Sequence, residues 1–345
     1  MSEESSSYAH PIGVSVGDMT PPEALGEKAR WLEQLGYSHI MVPEDYFYVP
    51  ALVGATLALS ATSTVPVGTS IVSGLVRHPA VLAMEIAGIS RAFPGRFRPG
   101  IGLGLPAWLE QMGLMPEKPV AALRESVTSV QRLLAGETVT LAGKQFSLDA
   151  IGITHPATER VPITLGVMGP MLLRLSGQIA DGTLFGAAAG LDYFRFAMAE
   201  VEKGLAKAGR PAEAMAYSTV ALTCVHRDGE KARAAARPIL ASFLGEFGVN
   251  ILTDAYGISE QLTAILERGG PEGVAADMPD EWLEDLTLVG TPAEVVEKMR
   301  RWLAAGLDSI CIFLPDEDLE RDTIQLVAEE VIPAFAPPRS APGSA

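Results

Sequence analysis

The sequence has only two cysteines, Cys224 and Cys311, and both lie inside apolar runs. That sets aside a disulfide framework or a cysteine metal pair in favour of buried reduced thiols, and implies the cytoplasm. Cations are scarce as well: 26 lysines and arginines face 42 acidic residues, for a formal charge of −16. Such a chain is repelled by nucleic-acid phosphates and by anionic membrane surfaces. Although 48% of the residues are hydrophobic, no apolar run reaches the roughly 18 residues of a membrane span. The opening MSEESSSYAHP lacks the basic and apolar stretches of a secretory signal. Residues 1–10 and 336–345 read as disordered ends, leaving 11–335 as a single domain.

What is present is a repeated rhythm, clearest over residues 161–190. Val161 to Leu165 is a short apolar strand, followed by the loop Gly166-Val167-Met168-Gly169-Pro170 and a helix with Leu172, Leu173, Leu175 and Ile179 on its apolar side. Asp181-Gly182 ends that helix. A second strand, Thr183-Leu184-Phe185, leads to a second small-residue loop, Gly186-Ala187-Ala188-Ala189-Gly190. Loops of this kind let backbone N–H groups and a helix N-terminus approach an anion closely, because no side chain intervenes. Two in succession favour a phosphate cradle over plain tight turns.

The same strand–helix alternation runs through the chain. Strands are expected at 12–16, 38–42, 65–72, 97–101, 161–165, 183–185, 218–225 and 309–313. Thr20-Pro21-Pro22-Glu23 and Thr291-Pro292-Ala293-Glu294 read as helix starts with a threonine cap and a glutamate three residues on. Thr138 to Phe146, with Ala142-Gly143 central, reads as a hairpin, and 242–288 loses the rhythm and reads as an insertion. Eight strands alternating with helices imply parallel pairing and a closed α/β barrel, (β/α)8. Function is then expected on the loops that follow the strands.

Five segments in order, EKARWLEQLGYSHIMVPEDY, VPVGTSIVSGLVRHPAVLA, PGRFRPGIGLGL, GVMGPMLLRLSGQIADG and VGTPAEVVEKMRRWLAAGLDSI, give the chain a resemblance to the bacterial-luciferase-like oxidoreductases, and to their coenzyme-F420-using branch in particular. The resemblance implies a TIM barrel holding F420, or flavin mononucleotide (FMN), at its C-terminal mouth, and a homodimer. It implies a bulge with a non-prolyl cis peptide at Ser70-Ile71 behind the ring. It assigns the cofactor phosphate to the amides of Val167, Met168, Gly169, Gly186, Ala187 and Ala188, with Gly102 and Gly104 leaving room beside the ring. No metal is implied.

The sequence departs from the family's pattern at the catalytic positions. The family's Asp-His pair after the second strand reads Glu44-Asp45 here, a carboxylate after the fourth strand's glycines reads Leu105, and a later indole reads Val49. The resemblance therefore does not carry the reaction of the sugar-phosphate dehydrogenase. Among Asp18, Asp45, Tyr46, Tyr48 and His78, all expected near the mouth, Asp45 occupies the missing histidine's place and is the first candidate to handle a proton, with Glu44 its acidic neighbour. The expected function is hydride transfer between F420 and a small organic substrate of apolar or mixed character. The alternatives are an FMN-dependent two-component monooxygenase and a non-catalytic barrel that binds a ligand. Arg77-His78-Pro79 reads as a structural helix start, His39 as structural at the barrel's bottom and His226 as part of a solvated turn.

Overall fold

The computed structural model describes residues 8–17 and 19–336. The expected disorder at 1–7 and 337–345, and the candidate Asp18, lie outside the described residues. In chain order the strands are β1 (Ile12–Ser15), β2 (Ile40–Val42), β3 (Val67–Thr69), β4 (Val72–Ser73), β5 (Phe97–Arg98) and β6 (Gly100–Gly102). The hairpin β7 (Val139–Ala142) and β8 (Ser147–Ile151) follows. The rest are β9 (Thr164–Gly166), β10 (Gly182–Phe185), β11 (Ala216–Val225), β12 (Leu288–Gly290) and β13 (Ser309–Phe313). All pair in parallel except the hairpin.

β3 and β4 are one barrel strand interrupted at Ser70-Ile71, and β5 and β6 are one interrupted at Pro99. With that, the pairing closes on itself: β1, β2, β3/β4, β5/β6, β9, β10, β11, β13 and back to β1. The ring is the eight-stranded α/β barrel expected from the rhythm. β12 pairs only with the far end of β11. Helices such as Pro22–Gln34, which buries Leu25, Ala29 and Leu32, cover the outside with one apolar face each.

Local expectations fared unevenly. Thr291 forms the expected capping box with Glu294. Thr20 does not cap: the helix begins behind Pro21, and the Thr20 hydroxyl donates instead to the Val16 carbonyl at 2.6 Å. The hairpin turn lies at 143–146 rather than at Ala142-Gly143, because the Glu125 carboxylate accepts from the Lys144, Gln145 and Phe146 amides. The expected insertion is helical: Gly229–Phe247 runs on past Leu240, and Ile251–Ala255, Ser259–Asp277 and Asp280–Leu286 follow.

Residues 8–10, expected within the disordered lead, pack under the barrel. Tyr8 stacks on His39 with ring centroids 4.2 Å apart, and His10 bridges the Gly36 carbonyl and the Ile12 amide. His39 takes the space that Gly13 leaves by lacking a Cβ. Burial, and then His10, push the His39 imidazole down to about 3, so it stays neutral, the structural role expected of it.

Candidate active site

The third barrel strand carries the feature that organises the mouth. Gly68 pairs with Arg98 and Val72 with Ile101, so four steps on one strand meet three on its neighbour, which is a one-residue bulge. The Ser70–Ile71 peptide within it is cis, as the resemblance implied. Tyr46–Phe47 is cis as well, which nothing in the sequence suggested. The bulge turns the Ile71 side chain inward over glycines of the neighbouring strands: a Cβ on Gly102 or Gly166 would lie 2.5 Å from it, and one on Gly100 3.1 Å. The space that Gly102 leaves by lacking a Cβ is taken by Ile71, the residue expected behind the ring. Gly104 is needed for its backbone, at φ +88°, beside Ser73. Below, Met41, Leu184 and Cys311 form an apolar floor against which Ile71 and Val220 pack. Burial pushes the Cys311 thiol well up, so it is an inert part of that floor.

Beside the bulge lies a buried carboxylate. Glu44, its side chain 1% exposed, accepts two hydrogen bonds from the Arg77 guanidinium, at 2.6 and 2.9 Å. The Tyr46 hydroxyl donates to the same carboxylate at 2.8 Å, and the Ser73 amide reaches it at 3.4 Å. Arg77 also pairs with Glu85 at 3.3 Å. The bonds to Glu44 raise the Arg77 pKa, fixing its charge, and burial lifts the Glu85 carboxyl despite Arg77. Burial and then Glu44 push the Tyr46 phenol up, so it keeps its proton. Glu44 is therefore a brace joining the loop after β2, the bulge and the helix Pro79–Ala92. The sequence carried one hint of it, a lone arginine at the end of the third mouth loop.

The other proton candidates separate cleanly. Asp45 is half-buried next to this brace and Tyr48 is exposed. His78 is structural: its ring caps the helix Pro79–Ala92 through the Ala80 amide and meets the Ser147 carbonyl. His226 is exposed and folds back on Asp228, the solvated turn expected.

The two glycine loops differ. Gly169, at φ +80° and ψ 150°, leads into the helix Pro170–Ile179, which has neither a side-chain cap nor an acidic residue in its first turn. A Cβ on Gly169 would meet open space, and the flanking Met168 and Met171 are exposed. That N-terminus is free to receive an anion. Gly186 is also open, and Ala188 sits at φ 60°. The helix Leu191–Ala208 that follows is covered, however. A Cβ on Gly190 would land on the Asp285 carbonyl and the Tyr256 hydroxyl, both from the insertion. The Tyr256 hydroxyl lies over the Asp192 and Tyr193 amides, although no partner meets it in hydrogen-bond geometry. Of the two expected cradles, only the first has an open helix end. In the second loop Gly186 and Ala187 stay partly exposed, while Ala188 is buried.

Comparison with known proteins bears on this arrangement. The family of luciferase-like monooxygenases matches residues 5–309. The chain belongs to that family. Among curated relatives of this luciferase-like protein, the 5,10-methylenetetrahydromethanopterin reductase of Archaeoglobus fulgidus is 28% identical, over 87% of this chain and 92% of the relative. The F420-dependent glucose-6-phosphate dehydrogenase of Nakamurella multipartita is also 28% identical, over 90% and 92% respectively. The solved coenzyme-F420-dependent tetrahydromethanopterin reductase of Methanopyrus kandleri superposes with a TM-score of 0.82 at 24% identity, covering 94% of this chain and 99% of that one. At that identity the superposition establishes the barrel fold.

Proposed function

We propose that this luciferase-like barrel is an oxidoreductase that uses coenzyme F420 on a small organic substrate. The observation that carries the reading is the uncapped helix N-terminus at Gly169, at the same mouth as the bulge and its apolar floor. Its curated relatives, F420-dependent enzymes among them, point the same way. The residues fit such a cofactor. Ser70 and Ile71 would back the ring, and the amides of Val167, Met168 and Gly169, with those of Gly186, Ala187 and Ala188, would hold the phosphate. Gly102 and Gly104 act from below by seating Ile71 and shaping the loop. When bound, F420 supplies the carbon that gives or takes hydride.

The protein's own contribution is placement and one proton. The apolar floor excludes water from beneath the ring. The Glu44–Arg77 pair holds the loop after β2 in place, so Asp45, half-buried in that loop, is presented to the mouth as the group that takes up or releases the proton. Asp45→Asn keeps the shape and removes that capacity. Turnover should fall roughly 10²-fold or more while F420 affinity stays within about twofold.

Two further features complete the proposal. The helix Ala51–Ala61 is apolar apart from Thr56 and Ser60, and Val53 and Leu57 on it are exposed together with Val81 and Met84 on the helix Pro79–Ala92. This face suits a homodimer contact. Both cysteines are free and buried, which suits the cytoplasm. Separate titrations with oxidised F420 and with FMN, followed by cofactor fluorescence, test the central claim. Selective F420 binding supports it, selective FMN binding moves it to a two-component monooxygenase, and binding of neither leaves a non-catalytic barrel.

A further inference from the structure

The brace beside the bulge ends in a row of aromatic rings. Tyr46 lies 6.1 Å from Phe47, tilted at 43°, and 5.8 Å from Trp108, edge-on at 73°. Phe47 and Tyr46 come from the loop after β2, and Trp108 from the short helix Pro106–Gln111 after β6. Both flank the bulged strand at the C-terminal end of the barrel, where Ser73 reaches Glu44 through its amide and the Leu103 carbonyl through its hydroxyl. The row thus joins two mouth connections, those after β2 and β6, across the bulged strand between them. Phe47 is 71% exposed, which is unusual for a phenylalanine held against a second ring. The core beneath does not account for it.

The electrostatics of the row are distinctive. Its polar end, the Tyr46 hydroxyl, is tied to Glu44, and Arg77 is tied in turn to Glu44 and Glu85. Lys28, the cation by the loop after β1, is occupied by the Val16 carbonyl, the Thr20 hydroxyl and Glu320. Neither cation has a free face for an anionic substrate. What the row offers is π surface, which rewards an apolar or planar skeleton and gives nothing to a carboxylate or phosphate.

We infer that Phe47, Tyr46 and Trp108 form the wall against which the substrate's carbon skeleton packs, and that the substrate is an uncharged cyclic or aromatic carbonyl or alcohol. The inference rests on the oxidoreductase reading for the carbonyl or alcohol, and on the structure alone for the uncharged ring. Phe47 and Trp108 set specificity by contact, and Tyr46 aligns the two while Glu44 fixes its hydroxyl.

The test uses the full-length protein, with and without F420. The probes are 2-acetylnaphthalene, a neutral aryl ketone, and 6-acetyl-2-naphthoate, its carboxylate counterpart, with binding read from probe fluorescence. The neutral ketone should bind at least tenfold tighter than the carboxylate. Phe47→Ala should weaken it fivefold or more with F420 affinity within twofold of the parent, and Trp108→Ala should do the same. Phe47 is exposed, so its removal leaves the fold intact even if Trp108→Ala disturbs the short helix. Equal affinity for the two probes, or neutral-probe binding untouched by Phe47→Ala, overturns the wall. Failure of F420 to bind overturns the cofactor reading instead, and the apoprotein titration still decides the wall.

Discussion

The loops at 166–170 and 186–190 each follow a barrel strand and each lead into a helix, but their helix ends meet different surroundings. At Gly169 the helix end faces open space between two exposed methionines, and the glycine holds a backbone conformation at φ +80° and ψ 150° that side chains rarely adopt. At Gly190 the backbone is extended at φ −138°, and glycine is required because the insertion packs on it. One glycine serves the conformation of its own loop, and the other serves a contact made from far along the chain. A glycine-rich loop after a strand is therefore only a possible anion site. Whether the helix end stays open depends on what the rest of the chain puts over it.

The largest effect should come from filling Gly190. A Cβ there strikes the Asp285 backbone carbonyl, which cannot rotate away as a side chain could. Gly190→Ala should destabilise the protein by about 3 kcal/mol, the upper range for overpacking. Gly186→Ala, with nothing near its Cβ, should stay within about 0.5 kcal/mol. Urea unfolding of both variants gives the difference. Equal stabilities would mean that the insertion does not seal the second loop.

This contrast also marks where the sequence ceased to be legible. The barrel was readable because each strand is a short apolar run with a glycine or proline boundary, and such runs alternate with one-sided helices. The capping box at Thr291 was readable because all its atoms lie within four residues. Thr20 has the same local wording and fails, because its hydroxyl is taken by the Val16 carbonyl. The missing Cβ of Gly102 makes room for Ile71 from the adjacent strand, and a sequence does not show which side chain will enter a gap. Tyr8 and His10 looked like a polar lead because the partners that order them, His39 and the Gly36 carbonyl, are distant in the chain. The Glu44–Arg77 brace, the Phe47–Tyr46–Trp108 row and the Tyr256 and Asp285 seal are likewise tertiary contacts.

A second, smaller effect separates the loops by charge. Gly169→Asp puts a carboxylate at the open helix end, and should weaken F420 binding about tenfold or more, equal to at least about 1.4 kcal/mol. Gly186→Asp should weaken it less, since the helix end behind that loop is covered. Gly169→Ala is the control that separates backbone strain from charge, and should cost stability with only a minor loss of affinity. Fluorescence titration of the three variants orders them. Unchanged affinity in both aspartate variants would remove the cradle from both loops.

The smallest effect belongs to the seal's own charges. Burial, and then Asp192, lift the Asp285 carboxyl above its ordinary value of 3.8, with Glu284 and Glu281 adding to the rise and Lys298 opposing it. The sign follows from proton counts. The folded chain holds this proton to higher pH than the unfolded chain, so as pH rises from 3.8 to the raised value folding loses stability, and the loss persists at neutral pH. Asp285→Asn removes the charge and keeps the backbone carbonyl that covers Gly190. The variant should therefore be slightly more stable than the parent at pH 7 and indistinguishable from it near pH 3. Because Asp285 is only partly desolvated and keeps contact with solvent, the gain should shrink as salt is added. Urea titrations at pH 3 and pH 7, in low and high salt, check each part. A gain that appears at pH 3 as well would mean that the substitution acts through packing, and the insertion would then cover the second loop by shape alone.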